Sequence, residues 1–332
     1  MRIAILDAGS VSARLNVIEL TPGQPFRTDV SAKFPTRLGE STRPDGRISA
    51  SGLDRLAAAV GEAARTARSH GAEELISFAT SSVRDAANRD AAVDRVAEAT
   101  GVRLGFLTGQ DEARLTFLAA RAWLGWSVGG LLLADIGGGS LELAAGEGAE
   151  PDCALSLPFG AARLTRARLV GDPPDRAHVL ALRRQITLEL AAELTGRFAA
   201  PARPYAVATS RIFAHLAKLT GAQGPSGRRL LSRDAVRRQI PRLAAMDIDT
   251  RVTVKGVPPS RAGQILAGAI VAEAVMDVLS LPYLHLCPWA LREGIALRRL
   301  TQLGATSARV DDISHLVQAV PDGPYAMAVA GG

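Results

Sequence analysis

The run Leu131-Leu132-Leu133-Ala134-Asp135-Ile136-Gly137-Gly138-Gly139-Ser140 sets the reading of the whole chain. An apolar segment of strand length ends in Asp-x-Gly and a small-residue turn. A second apolar run follows from Leu141, and the pattern is that of a β-hairpin opening a domain. The same pattern occurs 128 residues earlier as Ile3-Ala4-Ile5-Leu6-Asp7-Ala8-Gly9-Ser10. Overlaid without a gap, Asp7 falls on Asp135, Ser12 on Ser140 and Arg14 on Glu142. A duplication at that period predicts two domains of one fold, each opening with the same hairpin.

Outward from the first hairpin, strand and helix patterns alternate. Residues 51–69 are Ala-rich with Leu53, Leu56 and Val60 at helical spacing, 75–79 read as a short buried strand, and 88–100 read as helix. Residues 102–107 read as strand and 111–123 as a helix whose Leu115, Phe117 and Leu118 seek a core. Beyond the second hairpin the spacing predicts helices at 176–195, 211–220, 232–245 and 260–279, strands at 205–208 and 284–287, and a closing helix at 290–303. Ser260, after Pro258-Pro259, is the expected N-cap of the 260–279 helix. Strands alternating with helices after an antiparallel start imply a mixed sheet flanked by helices.

Composition narrows the class. The 332 residues are 47% hydrophobic, which excludes global disorder and gives enough chain for two ordinary cores. Two cysteines, Cys153 and Cys287, exclude a disulfide scaffold and point to a reducing compartment, and no zinc-type Cys/His spacing is present. No stretch reaches the roughly 18 apolar residues of a membrane span, so the location expected is cytoplasmic. The net charge of +6 rests almost wholly on arginine, since the lysines are only Lys33, Lys218 and Lys255. Arginine favours bidentate contacts with phosphate or carboxylate, but no basic block with interleaved aromatics marks a nucleic-acid binder.

The chemistry-bearing residues gather at the strand ends. Three successive glycines, Gly137 to Gly139, leave backbone N–H groups accessible for a concave nest around an anionic oxygen, with phosphate as its natural ligand. Asp135 beside it repels phosphate but suits a magnesium ion held through water. The sister turn, Asp7-Ala8-Gly9-Ser10, repeats the arrangement. Gly109-Gln110-Asp111-Glu112-Ala113-Arg114-Leu115 sets two acids in the first turn of a helix, where the macrodipole keeps a carboxylate ionised. Ala79-Thr80-Ser81-Ser82-Val83-Arg84-Asp85 is a hydroxyl-rich strand end leading into an arginine.

Together with Leu291-Arg292-Glu293-Gly294, these pieces occur in the order and spacing of the exopolyphosphatase and guanosine pentaphosphate phosphohydrolase (Ppx/GppA) family, which the chain resembles over residues 1–300. The resemblance implies an α/β fold of the actin, sugar-kinase and Hsp70 type: two ribonuclease-H-like domains with mixed five-stranded sheets flanked by helices, facing across a cleft. It implies a general base at Glu112, a phosphate-contacting arginine at Arg84, magnesium-associated acids at Asp7, Asp135 and Glu142, and phosphate loops at Gly9-Ser10 and at Gly137, Gly138, Gly139 and Ser140. The implied activity is release of terminal phosphate from polyphosphate, short chains above all because long-chain enzymes of the family often have further C-terminal domains, or from guanosine pentaphosphate. The alternative is a weakened nucleotide- or polyphosphate-binding regulator, because Val11 replaces the family's usual Asn and Asn16 stands at a usually apolar position. Expected partners are polyphosphate or guanosine penta- or tetraphosphate, with no nucleic acid and no membrane, and a homodimer is left open. The expected domains are 1–124 and 125–290, with helix 291–304 packing toward the first and a mobile tail at 305–332.

Overall fold

The computed structural model describes residues 1–43, 45–221, 230–304 and 313–321. It divides into two units, 1–108 with 295–332, and 109–294. In the first, β1 (Arg2–Ala8) pairs antiparallel with β2 (Ser12–Glu19), and β2 with β3 (Arg27–Pro35). On its other side β1 runs parallel to β4 (Glu74–Ala79), and β4 to the short β5 (Gly105–Phe106). The second unit repeats the scheme with β6 (Leu131–Ile136), β7 (Leu141–Gly146), β8 (Cys153–Leu157), β9 (Tyr205–Thr209), β10 (Leu230–Ser232) and β11 (Tyr283–Leu286), in the order β10-β11-β9-β6-β7-β8. Each unit thus carries the same core order, third strand, second, first, fourth and then a later parallel strand (β5 in one, β11 in the other), with the second strand antiparallel, which is the ribonuclease-H-like arrangement.

Among the described residues each sheet has six strands rather than five. In the second unit the short β10 pairs outside β11. In the first, β12 (Val317–Ala319) pairs antiparallel with Glu74–Ile76 of β4, while β5 takes Phe78 and Ala79 farther along the same edge. β12 lies in the stretch expected to be a mobile tail; Gln318 anchors it by donating to Ser77 and to the Arg103 carbonyl (3.0 Å). Residues 305–312 and 322–332 of that tail lie outside the described residues.

The domain boundary also moves. Helix Gly109–Leu124, expected in the first domain, belongs to the second unit, where Ala113, Phe117 and Ala120 bury Leu131, Leu133, Ala144 and Val207. Leu132, Ala134 and Ile136 face the other way, into a core built with the helices Arg176–Leu194, Ser210–Thr220 and Ile265–Val278. β6 is therefore covered on both faces, which is why its sequence reads as a continuous apolar run rather than an alternation. In the first unit, Ala4, Leu6, Leu15 and Val17 pack with Leu56 and Val60 of helix Ala50–Ser69 and Val96 of helix Arg89–Thr100.

Two helix expectations change in detail. The 260–279 helix is split into Pro259–Ala262 and Ile265–Val278, with Gly263 and Gln264 between them, and the cap position is Pro258 rather than Ser260. Helix Leu291–Gly304 begins in the second unit and passes into the first from Ile295. A side chain at Gly294 would lie 1.9 Å from the Leu115 carbonyl oxygen, so the glycine of Leu-Arg-Glu-Gly is what lets the backbone of this helix press on the Glu112 helix. Farther along, Arg299 holds Glu74 of β4 in a two-pronged ion pair (Nε to Oε2, 2.8 Å).

Candidate active site

The two hairpins superimpose in register as well as in sequence. Asp7 pairs with Arg14 across β1 and β2, and Asp135 pairs with Glu142 across β6 and β7. Each turn closes with the same bond, Gly9 N–H to the Ser12 carbonyl (3.2 Å) and Gly137 N–H to the Ser140 carbonyl (2.9 Å). Among the described residues, the N–H groups of Ser10, Val11, Gly138 and Gly139 donate to no protein acceptor. All four residues are partly exposed, so these donors are available to an anion.

In the second unit a group of acids surrounds the loop. Glu142 is buried, and Ser156 on the neighbouring β8 donates to its carboxylate (2.9 Å). Burial, then the charges of Glu112 and Asp135, push the Glu142 carboxyl well above the usual carboxylate range, against hydrogen bonds from Ser140 and Ser156. Burial likewise raises Asp135 to about 6, opposed by a short hydrogen bond from the Thr209 hydroxyl. Glu112 is thus close enough to Glu142 for their charges to interact, and it lies in the first turn of its helix, as the sequence suggests. Gly109 starts that helix against Ser156: a side chain there would lie 2.3 Å from the serine Cβ and Oγ. One serine therefore supports both the Glu142 carboxylate and the helix that carries Glu112.

A carboxylate pair that repels itself in a buried setting is stabilised by a divalent cation. Magnesium takes one or two carboxylates and keeps several waters. Asp135 and Glu142 fit that requirement, while among the described residues no three His, Cys, Asp or Glu side chains form a closed metal cage. Asp7, the third acid named from the resemblance, belongs to the first unit.

The first unit carries Gly9, Ser10 and Arg84. Arg84 ends the short helix Ser81–Arg84 after β4; its Nη1 donates to the Leu107 carbonyl (3.0 Å) and its Nε to Asp85 (3.4 Å). Val11 exposes part of its side chain, and its carbonyl is taken by backbone N–H groups. Asn16 is buried in the sheet and accepts from Ser31 on β3 (3.3 Å), so its polarity is accommodated by a strand the sequence reading did not find. Thr209 and Ser156 were also missed. Thr209 follows the same small, hydroxyl-rich strand ending as Thr80, a signal present in the internal repeat, whereas nothing in the sequence marks Ser156. Next to Thr209, Ser210 adopts a left-handed backbone (φ 75°), a strained geometry for a non-glycine residue at the edge of the site.

Two turns with N–H groups open to an anion, one within each duplicated hairpin, and paired acids beside one of them fit a phosphate-handling protein of ribonuclease-H-like architecture. The chain belongs to the Ppx/GppA phosphatase family, whose model matches residues 17–303. It is 45% identical over 318 residues to Exopolyphosphatase 1 of Mycobacterium tuberculosis, covering 95% of this chain and 92% of that one. It is 30% identical over 296 residues to Exopolyphosphatase 2 of the same species, covering 82% and 89%. The fold matches a crystal structure of the Aquifex aeolicus Ppx/GppA family member (TM-score 0.77, 23% identity, 92% and 99% covered). It also matches an exopolyphosphatase from Cytophaga hutchinsonii (TM-score 0.78, 22% identity, 91% and 98% covered).

Proposed function

We propose that the protein is an exopolyphosphatase-type hydrolase that releases terminal phosphate from inorganic polyphosphate, short chains in particular. The observation that carries the chemistry is the row Thr209–Asp135–Glu142–Ser156 with Glu112 beside it: acids held by hydroxyls next to a phosphate loop. The Glu112 carboxylate orients a water and accepts its proton. The water oxygen bonds to the terminal phosphorus as the bond to the bridging oxygen breaks, leaving orthophosphate and a chain one phosphate shorter. Magnesium, held through water by Asp135 and Glu142 with Asp7 as a further acid, would neutralise charge on the phosphates. Gly9, Ser10 and Arg84 contact phosphate oxygens in this reading, as do Gly137, Gly138, Gly139 and Ser140.

A polyanionic substrate is supported by a second group of charges. Arg261 has its pKa lowered by burial and by the charge of Arg211, and His215 is lowered by burial and also by Lys218, Arg261 and Arg211. Cations crowded in this way favour a ligand with several phosphates, which guanosine pentaphosphate would also satisfy. No described helix is long and apolar enough to cross a membrane, and both cysteines are free thiols, which fits a reducing, cytoplasmic setting. The relatives' names favour catalysis over a purely regulatory role. The test is phosphate release from polyphosphates of defined length, guanosine pentaphosphate, ATP and ADP, with magnesium and with EDTA. Release from short polyphosphate that EDTA abolishes is expected; no release from any member of the panel would replace the enzyme by the binding protein. Sedimentation of the same preparation reads out whether it is a homodimer.

A further inference from the structure

A loop that binds an anion through its N–H groups has to dispose of its carbonyls, whose lone pairs repel the same anion. In this protein both phosphate loops solve that problem with the same device. In the first unit, the segment that follows β3 turns back under the loop: the Thr36 hydroxyl donates to the Gly9 carbonyl (2.8 Å), the Leu38 and Gly39 N–H groups to Ser10 (2.7 and 3.3 Å), and the Thr36 and Arg37 N–H groups to Val11 (3.0 and 3.2 Å). In the second unit, the segment that follows β8 does the equivalent. The Ala161 N–H donates to Gly137 (3.0 Å), the Ala162 and Arg163 N–H groups to Gly138 (2.9 and 3.0 Å), and Arg163 Nε to Gly139 (2.8 Å). All three carbonyls of each loop are taken by the segment that leads into and opens a helix, Thr36 to Gly39 before and in Leu38–Ser41 in one case and the first residues of Ala161–Arg168, one of them through its side chain, in the other.

The approach is close enough to demand particular residues. A side chain at Gly160 would lie 2.2 Å from the Gly139 carbonyl carbon and 2.3 Å from the Ser140 nitrogen, so only glycine lets this backbone reach the loop. Thr36 is fully buried, and its hydroxyl spends its proton on the loop. Helix starts carry N–H groups that lack intrahelical partners, so the arrangement satisfies both sides: the helix start finds acceptors and the loop loses its outward carbonyls.

We propose that Thr36 and Arg163 are positioning residues which, with these two helix starts, hold the carbonyls of each phosphate loop inward and so present the N–H groups of Ser10, Val11, Gly138 and Gly139 to substrate phosphate. The proposal rests on the phosphate-binding role given to the loops above. Thr36→Val keeps the shape and removes the donor, while Thr36→Ser keeps the donor. Loss of one such hydrogen bond corresponds to about three- to tenfold weaker binding. Inorganic tripolyphosphate is the probe, its Kd read by titration calorimetry on the full chain in EDTA, where no hydrolysis is expected, beside KM and kcat for its hydrolysis with magnesium.

For Thr36→Val, Kd and KM should both rise by about three- to tenfold while kcat changes by less than about twofold, because binding before and during the reaction is lost equally. Thr36→Ser should return both to within about twofold of wild type. A folded Thr36→Val that binds like wild type overturns the proposal for the first loop. Arg163→Met tests the second loop independently, whether or not Thr36→Val folds: its loss of affinity should persist at high salt, and a loss that vanishes there would assign Arg163 a direct charge effect instead. If the wild type binds tripolyphosphate without cleaving it, the positioning proposal stands and the enzyme reading fails; if it neither binds nor cleaves it, both fail.

Discussion

Compared strand by strand, the two units present the same row of the sheet with opposite charge. In the first unit the row reads Phe78–Asp7–Arg14–Lys33, and in the second Thr209–Asp135–Glu142–Ser156. Residues directly opposite each other on neighbouring strands share a face, so each row acts as one surface. One acid among two bases leaves the first row with a net positive charge, suited to holding phosphate. Two acids among hydroxyls make the second row acidic, with Glu142 and Thr209 buried and Asp135 and Ser156 half-buried. The duplicated scaffold thus keeps one hairpin register and one kind of turn in both units while carrying a basic row in the first and an acidic row in the second.

The largest effect should come from Glu112, a carboxylate outside both rows. Glu112→Gln removes the proton acceptor with little change of shape, and kcat should fall on the order of 10² to 10⁴ with KM little altered. Steady-state kinetics on short polyphosphate reads both. Near-normal turnover in this variant would move the base to Asp111 or to unassisted water.

Next come the glycines beneath the loops, where the halves should differ. At Gly160 a methyl group meets backbone on every side, whereas at Gly39 nothing lies within 4 Å. Gly160→Ala should cost about 1 to 3 kcal/mol of stability and raise KM several-fold, while Gly39→Ala should stay within about 0.5 kcal/mol. Denaturant unfolding of the two variants decides it; equal costs would contradict the difference in packing.

The acidic row predicts a pH effect whose sign is fixed. Asp135 is raised from its ordinary 3.8 to about 6, and Glu142 is raised well above the usual carboxylate range by burial and by its acidic neighbours. Between those limits the folded protein binds more protons than the unfolded chain, so stability without metal should fall as pH rises from about 4 through about 6 and beyond. Glu142→Gln removes one of the repelling charges and should raise the metal-free Tm at pH 8 by roughly 2–4 °C per kcal/mol relieved, while abolishing magnesium-dependent activity. Calorimetric scans at pH 5 and pH 8 measure the effect; an unchanged or lower Tm at pH 8 would mean the pair is not repulsive.

The smallest effect is expected at Val11. Its carbonyl is held by backbone N–H groups and its own N–H is available, so the loop works through backbone, and Val11→Asn should change kcat/KM for short polyphosphate by less than about tenfold. A larger gain would revive the weakened-regulator reading.

Much of this was legible in the sequence because it lies in local patterns. The duplicated hairpin, the overlay that sets Asp7 on Asp135 and Arg14 on Glu142, and the acids in the first turn of the Glu112 helix all follow from short runs. The parts that escaped depend on distant pairing. β3 carries an exposed, charged sequence and becomes a strand only because β2 offers it an edge, and β12 is three residues long and exists only beside β4. Ser156 and Thr36 look like ordinary hydroxyl residues until the strand or loop they serve arrives beside them from 14 and 27 positions away. The helix Gly109–Leu124 was assigned to the wrong unit because its apolar face is compatible with either sheet, and only the side chains it covers decide between them.

The proposed magnesium ligands in the acidic row are Asp135 and Glu142. Titration of the full chain with magnesium by calorimetry, across pH 5.5 to 8 and in buffers of different ionisation enthalpy, measures affinity and proton release together. Binding should tighten as pH rises, release protons from Glu142 and, below about pH 6, from Asp135 as well, and be lost in Asp135→Asn. Binding that is independent of pH and survives in Asp135→Asn would contradict that assignment.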